Sequence, residues 1–180
     1  MKKIALICLV ALGTKMNSQI YLGEKCSIKF FSKTKMEDID AENKVTKPIL
    51  NTKDGHFVIQ ASQTGFMFKS SFMQEHYNEN YMESEKYPFA KFDGIISEKI
   101  DYTVDGTHEV SMVGKISMHG VELPRTIKGT IVIKGGVIIL DSKFELVVAD
   151  FKIVVPSLYV DILAKSVQVS FHAEMTPLKK

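Results

Sequence analysis

Tryptophan is absent from this chain, cysteine occurs twice and proline five times in 180 residues. Two cysteines are too few for a disulfide-stapled scaffold, so the fold must be held by its own apolar core. No charge of one sign dominates, since 23 basic and 21 acidic residues leave a formal net charge of +2. A nucleic-acid binder normally carries a clear basic excess or stripe, and none is present. Without Trp or basic-aromatic interleaving, base stacking also lacks a platform. No apolar run reaches the roughly 18 residues that a membrane-spanning helix requires. With 45% hydrophobic and 24% charged residues, the composition is that of one globular domain, neither disordered nor collagenous.

The N-terminus reads as a leader and not as fold. Lys2 and Lys3 precede Ile4 to Leu12, nine uninterrupted apolar residues; Gly13 and Thr14 then break the run, and Ser18 precedes Gln19. This is the pattern of a secretory signal peptide, assigned to residues 1–18 and leaving a domain at 19–180. Met16, three residues before that cut, is not small, so the pattern defines the segment better than the cleavage point. Ile7 stands where a lipoprotein signal ending at Cys8 would need a small residue. Cleavage removes Lys2, Lys3, Lys15 and Cys8, taking the net charge from +2 to −1 and leaving Cys26 as the one thiol. The alternation Cys26, Ile28, Phe30 predicts that this thiol is buried. The expected location is periplasmic or secreted.

The body of the chain alternates with period two, the signature of half-buried antiparallel strands. Val110, Met112, Ile116 and Met118 share one parity against Glu109, Ser111, Lys115 and Ser117. Val167, Val169, Phe171, Ala173 and Met175 alternate with Ser166, Gln168, Ser170, His172 and Glu174. Ile138, Leu140, Phe144, Leu146 and Val148 repeat the pattern, and weaker alternation appears in Phe57, Ile59, Ala61 and in Ile100, Tyr102, Val104. Asp54-Gly55, Asp105-Gly106 and Gly135-Gly136 are two-residue hairpin signals, and His119-Gly120 marks a further bend or bulge. About eight strands follow: 26–34, 43–50, 56–64, 90–104, 107–118, 122–134, 137–148 and 163–175. Twelve residues at roughly 3.3 Å each span about 40 Å. Long strands with one apolar face must stack as a sandwich or close on themselves, and closure removes exposed edges. The predicted fold is all-β, an antiparallel barrel of about eight strands in preference to a sandwich.

One segment breaks the pattern. Positions 72, 73, 76, 77, 80 and 81 form a single helical stripe, which predicts an amphipathic helix over about 70–85 that plugs or flanks one end of the barrel. Ser71 with Gln74 fits a capping box, and Pro88 stops the helix from continuing.

Motifs that carry chemistry are nearly lacking. The histidines His56, His76, His108, His119 and His172 show no metal-ligand spacing, and there is no G-x-S-x-G elbow, phosphate-cradling loop or Cys-His pair. No catalytic residue, metal or cofactor is therefore assigned. The informative excess is instead 11 Phe and 9 Met, many on the inward parity of the strands. Met suits surfaces that accept varied apolar ligands, and an eight-stranded barrel is just wide enough either to fill with side chains or to hold one ligand.

The stretch Phe72-Met73-Gln74-Glu75-His76-Tyr77-Asn78-Glu79-Asn80-Tyr81-Met82-Glu83-Ser84-Glu85-Lys86-Tyr87-Pro88-Phe89-Ala90-Lys91-Phe92-Asp93-Gly94 closely resembles the YceI-like family. Gly114-Lys115-Ile116-Ser117-Met118-His119-Gly120-Val121, Ser142-Lys143-Phe144, Asp150-Phe151-Lys152-Ile153 and the opening Phe30-Phe31-Ser32 fit the same family. The resemblance runs roughly from residue 26 to 175. It implies an exported lipocalin-like barrel that binds a polyisoprenoid or similar long-chain lipid, such as an isoprenoid quinone, in its central cavity.

Strand parity, and not the family, selects the lining residues: Phe30, Phe57, Ile59, Phe92, Ile96, Met112, Ile116, Met118, Phe144, Leu146, Val169 and Phe171. Phe72, Met73 and Tyr77 of the helix are added as a lid. The leading function is a lipid carrier or sequestering protein without chemistry of its own. An enzyme acting on an apolar substrate, with His108 or His119 as base, and a secreted interaction module with a solid core stay open, as does a homodimer.

Overall fold

Each long strand turns one apolar face inward, and the sheet they build returns to its first strand. The computed structural model describes residues 20–33, 38–154 and 166–178; the leader at 1–18 lies outside them. Ten strands occur there: β1 (Ile20–Ser32), β2 (Ile39–Asn43), β3 (Ile49–Asn51), β4 (His56–Ser62), β5 (Phe66–Phe68), β6 (Phe89–Ile96), β7 (Gly106–Met118), β8 (Val121–Lys134), β9 (Val137–Val147) and β10 (Ser166–Pro177). Antiparallel pairing runs β1-β3-β4-β6-β7-β8-β9-β10, and β10 pairs back onto β1 from Tyr21↔Pro177 to Phe31↔Gln168. This is the expected closed eight-stranded barrel. Two unforeseen strands are added to it. β1 is long enough to pair along one edge with β3 at Ile20–Leu22 and with β2 at Ile28–Ser32, and β5 joins β2 to complete a flap.

Several boundaries differ from the sequence expectation, each for a local reason. The strand expected at 26–34 starts at Ile20 and ends at Ser32. Of the one expected at 43–50, only Asn43, at the end of β2, and Ile49 and Leu50, in β3, are in strands, because Asn43 Oδ1 accepts hydrogen bonds from the backbone of Val45 and Thr46 and from the Thr46 hydroxyl. That side chain turns the backbone out of the ladder. The strand expected at 90–104 stops at Ile96, since Asp101 closes a turn by accepting from Thr103; Ile100 and Tyr102 pack against the core instead of pairing. Of the strand expected at 163–175, residues 163–165 fall outside the described chain, and β10 continues to Pro177.

The two-residue turns are His119-Gly120 and Gly135-Gly136, with φ of 50° and 73°, and 57° and 82°. Asp54-Gly55 lies in a longer turn, with Asn51 opposite His56. Asp105-Gly106 is no hairpin turn: Gly106 opens β7, and Asp105 accepts from the Gly135 N–H at 3.0 Å.

The helix is shorter than expected. Helix α1 spans Ser71–His76 and passes into a π-helical turn at Tyr77–Tyr81. Its N-cap is Ser70, not Ser71, and Ser70 Oγ accepts from the Met73 N–H. Gln74 Oε1 serves a different purpose, accepting from the Phe68 N–H at 3.3 Å and tying α1 to β5.

Packing differs between the two ends of the barrel. At one end, where Leu50, Ile131, Ile138, Leu140, Ala173 and Met175 are fully buried, the ladder closes around the barrel, with a register shift in β1 between Gly23 and Lys25. At the other end the wall divides twice. β8 pairs with β9 only from Gly129 to Lys134, so Pro124, opposite Lys115 of β7, lies on a stretch of β8 with one free edge, where proline is tolerated. Arg125 of that stretch reaches Asp150 at 2.6 Å across the gap. The second division separates β2 from β4, and the fully buried Asn43 closes it by donating to the Ser62 carbonyl at 3.0 Å.

Candidate functional site

Where the wall divides, the interior is open. A cavity of about 370 Å³ occupies this half of the barrel, walled by side chains from β1, β4, β5, β6, β7, β8, β9 and β10 and by the helical segment. Its lining is overwhelmingly apolar. Phe30, Phe66, Phe68 and Tyr77 form an aromatic cluster along one side, with Phe30 stacked on Tyr77 at 5.5 Å between ring centroids and Phe68 5.0 Å from it. α1 has no buried residue; it lies across the opening, with Phe72 65% exposed.

Of the fifteen residues selected, twelve by strand parity and three from the helix, eleven line this cavity: Phe30, Ile59, Phe72, Met73, Tyr77, Phe92, Ile116, Met118, Phe144, Leu146 and Val169. The other four, Phe57, Ile96, Met112 and Phe171, stand apart from it in the packed end. Phe57 is 6.3 Å from Phe92 and 6.0 Å from Phe171 between ring centroids, so these rings form the floor of the cavity. The barrel is thus solid at one end and open at the other, which strand parity could not distinguish.

Other lining residues went unselected. Ile28, Ala61, Val148 and Val167 also line the cavity and share parity with Phe30, Ile59, Leu146 and Val169, so alternation could have found them. Ile39, Phe66 and Phe68 belong to the flap, which no hairpin signal announced. Gln63 carries no sequence signal at all. It is fully buried in a short 3₁₀ turn between β4 and β5, and its Oε1 accepts from the Tyr77 hydroxyl at 2.6 Å.

The candidate bases of the enzyme alternative lie elsewhere. Neither His108 nor His119 lines the cavity. His119 Nδ1 is 3.0 Å from the Phe151 carbonyl and its Nε2 is 2.9 Å from Glu83 Oε2, which joins the helical segment, the β7–β8 turn and the 3₁₀ turn after β9. Among the described residues, no group of three His, Cys, Asp or Glu side chains is placed to hold a metal ion, and no helix is long and apolar enough to cross a membrane. Burial holds the Tyr77 phenol well above its ordinary range and pushes the Cys26 thiol up to about 12. Cys26 is buried, as its alternation predicts.

The chain matches the model of the YceI-like domain over residues 21–175. Solved structures share the architecture at low identity. A polyisoprenoid-binding domain from Saccharophagus degradans, implicated in plant cell wall breakdown, superposes with a TM-score of 0.76 at 13% identity, covering 89% of this chain and 99% of that one. BcnA of Burkholderia cenocepacia gives 0.66 at 14% identity over 83% and 95% of the two chains. The YCEI protein of Campylobacter jejuni gives 0.63 at 14% identity over the whole of both. No curated protein matches the chain in sequence.

Proposed function

This chain belongs to the YceI-like family, and from that premise we propose that it is an exported binding protein that holds an apolar lipid tail in the open half of its barrel. The observation that carries the reading is the 370 Å³ apolar cavity beneath α1. A cavity of this size and apolar lining accommodates a stretch of a lipid tail. A longer polyisoprenoid or isoprenoid-quinone-like chain extends past Phe72 through the mouth. Removing that tail from water supplies the affinity, at about 25 cal/mol per Å² before ordering costs. The reading also draws support from the neighbour described as a polyisoprenoid-binding domain.

The role is that of a carrier or sequestering protein, with no reaction performed on the ligand. Neither candidate base, His108 nor His119, lines the cavity; His76 does, and it stands on α1 with its ring 4.1 Å from that of Phe72. Export follows from the leader pattern of residues 1–18 and places the protein in the periplasm or outside the cell.

Organic extraction of the purified protein followed by mass spectrometry tests the central claim. A stoichiometric long-chain lipid is the expected result, and a protein that neither yields nor takes up any lipid overturns it. N-terminal sequencing of the exported protein tests the leader: a start near Gln19 is expected, and an intact Met1 refutes cleavage.

A further inference from the structure

Among the described residues, two buried side-chain polar atoms have no hydrogen-bond partner: Gln63 Nε2 and the Tyr102 hydroxyl. Tyr102 belongs to the segment between β6 and β7 and does not line the cavity. Gln63 does, and it is fully buried there.

Its orientation follows from its neighbour. The Tyr77 hydroxyl, enclosed by Phe30, Phe66 and Phe68, places its one hydrogen on Gln63 Oε1 at 2.6 Å. An amide whose oxygen accepts that bond must present its NH2 elsewhere. The Gln63 backbone is fixed as well, because its N–H donates to the Pro88 carbonyl at 2.9 Å. Gln63 therefore stands at the cavity wall with a neutral donor that nothing among the described residues satisfies, and its NH2, itself without accessible surface, meets an acceptor when the neighbouring side chains give way. A buried donor left unpaired costs more than a typical hydrogen bond returns, and such a group asks for an explanation in a ligand or a water.

We infer that Gln63 Nε2 is the polar anchor of the binding site, donating to a neutral acceptor oxygen, such as a ketone, quinone or ester carbonyl, on an otherwise apolar ligand. This rests on the lipid-binding reading and adds to it the class of polar group that the ligand carries. A neutral donor in an apolar wall favours a neutral acceptor, since a carboxylate would have to leave water without a countercharge. A plain hydrocarbon leaves the donor unpaired, and a site built around a hydrogen-bonding group discriminates against the analogue that lacks it. Tyr77 is a positioning residue in this arrangement: it holds the amide by its oxygen.

The test is a loading competition. The full chain is equilibrated with an equimolar mixture of 2-tridecanone and n-tridecane, repurified, extracted and quantified by gas chromatography with mass detection. Wild type and Gln63→Met are compared, so the different water solubilities of the two probes cancel. The expected result is a ketone-to-alkane ratio on the order of tenfold lower in Gln63→Met. Equal ratios in the two proteins overturn the anchor, leave the lipid-binding reading standing, and assign the amide to a water. Wild type that retains neither probe overturns both. If circular dichroism shows Gln63→Met unfolded, Tyr77→Phe replaces it: without the hydroxyl the amide loses its fixed orientation and the ratio falls, whereas an unchanged ratio rejects the inference.

Discussion

His119 and Glu83 meet at 2.9 Å through Nε2 and Oε2, and both adopt the left-handed backbone conformation, with φ of 50° and 44°. The third non-glycine residue with positive φ among the described residues is Lys152, which directly follows Phe151, the other hydrogen-bond partner of His119. Backbone cost is thus concentrated at one point of the mouth, where a single imidazole joins three segments. Tyr87 covers the ring at 4.6 Å between centroids, and a Cβ on Gly120 would come within 2.8 Å of Tyr87. The arrangement gives His119 a structural task that needs no catalysis.

Replacing His119 should therefore loosen the mouth. His119→Asn keeps a residue tolerant of positive φ and a donor in the place of Nδ1 for the Phe151 carbonyl, but it cannot reach Glu83, which loses its partner. The expected loss is about 0.5–1.5 kcal/mol, read as a lower urea midpoint with an unchanged slope. An unchanged midpoint would show that the staple contributes nothing.

Phe144 lines the open half. In Phe144→Asp a carboxylate faces the cavity, a penalty of several kcal/mol against hydrocarbon unless water enters or the group protonates. The cavity is large enough to admit water, so the expected outcome is lost lipid retention with the strand signal in circular dichroism preserved. A folded variant that keeps its full lipid load removes Phe144 from the site.

Phe57 is 2% exposed in the floor, against Phe92 and Phe171. Phe57→Ala should cost about 3–5 kcal/mol through lost burial and a new void. The void adjoins the existing cavity, so the surviving folded protein should accept a longer chain. Extraction after loading with a ladder of n-alkyl ketones reads this directly, and an unshifted length preference would mean that the floor does not limit the ligand.

Asp93 is held below the ordinary carboxylate range by hydrogen bonds from Lys91 first and His56 second. A depressed folded-state value stabilises the fold above the unfolded aspartate range, near pH 4, and that contribution is lost as the pH falls through the lower folded value. Asp93→Asn should lose less stability than wild type between pH 5 and pH 2. The pair is partly exposed, so the difference is small and should shrink further in high salt. Parallel urea titrations at the two pH values check the sign.

Much of the architecture was legible in the sequence because alternation is a local property. Val110, Met112, Ile116 and Met118 stand two or four positions apart, and a strand half-buried on one face needs only that even spacing. Gly135-Gly136 places a hairpin because positive φ at two successive residues is decided within the turn itself; His119-Gly120, expected as a bend or bulge, forms a two-residue turn with the same feature. Local chemistry also misled where two local signals competed. Ile100, Tyr102 and Val104 alternate like a strand, yet Asp101 folds them into a turn; Asn43 likewise ends a run that hydrophobicity alone would continue.

Inward parity determined which residues leave water, and it did so for Phe57 and Phe144 alike. Only the tertiary structure decided that Phe57 meets other rings and Phe144 meets space. That difference depends on how far apart opposing strands stand, and the separation is set by register and by the two divisions of the wall, closed by Asn43–Ser62 and Arg125–Asp150. Gln63 was invisible for the same reason. A glutamine in a turn is ordinarily solvated, and only burial beside Tyr77 turns it into an unpaired donor. Sequence settles what each segment would rather face; the distances across the barrel, which no single segment contains, settle what is there to be faced.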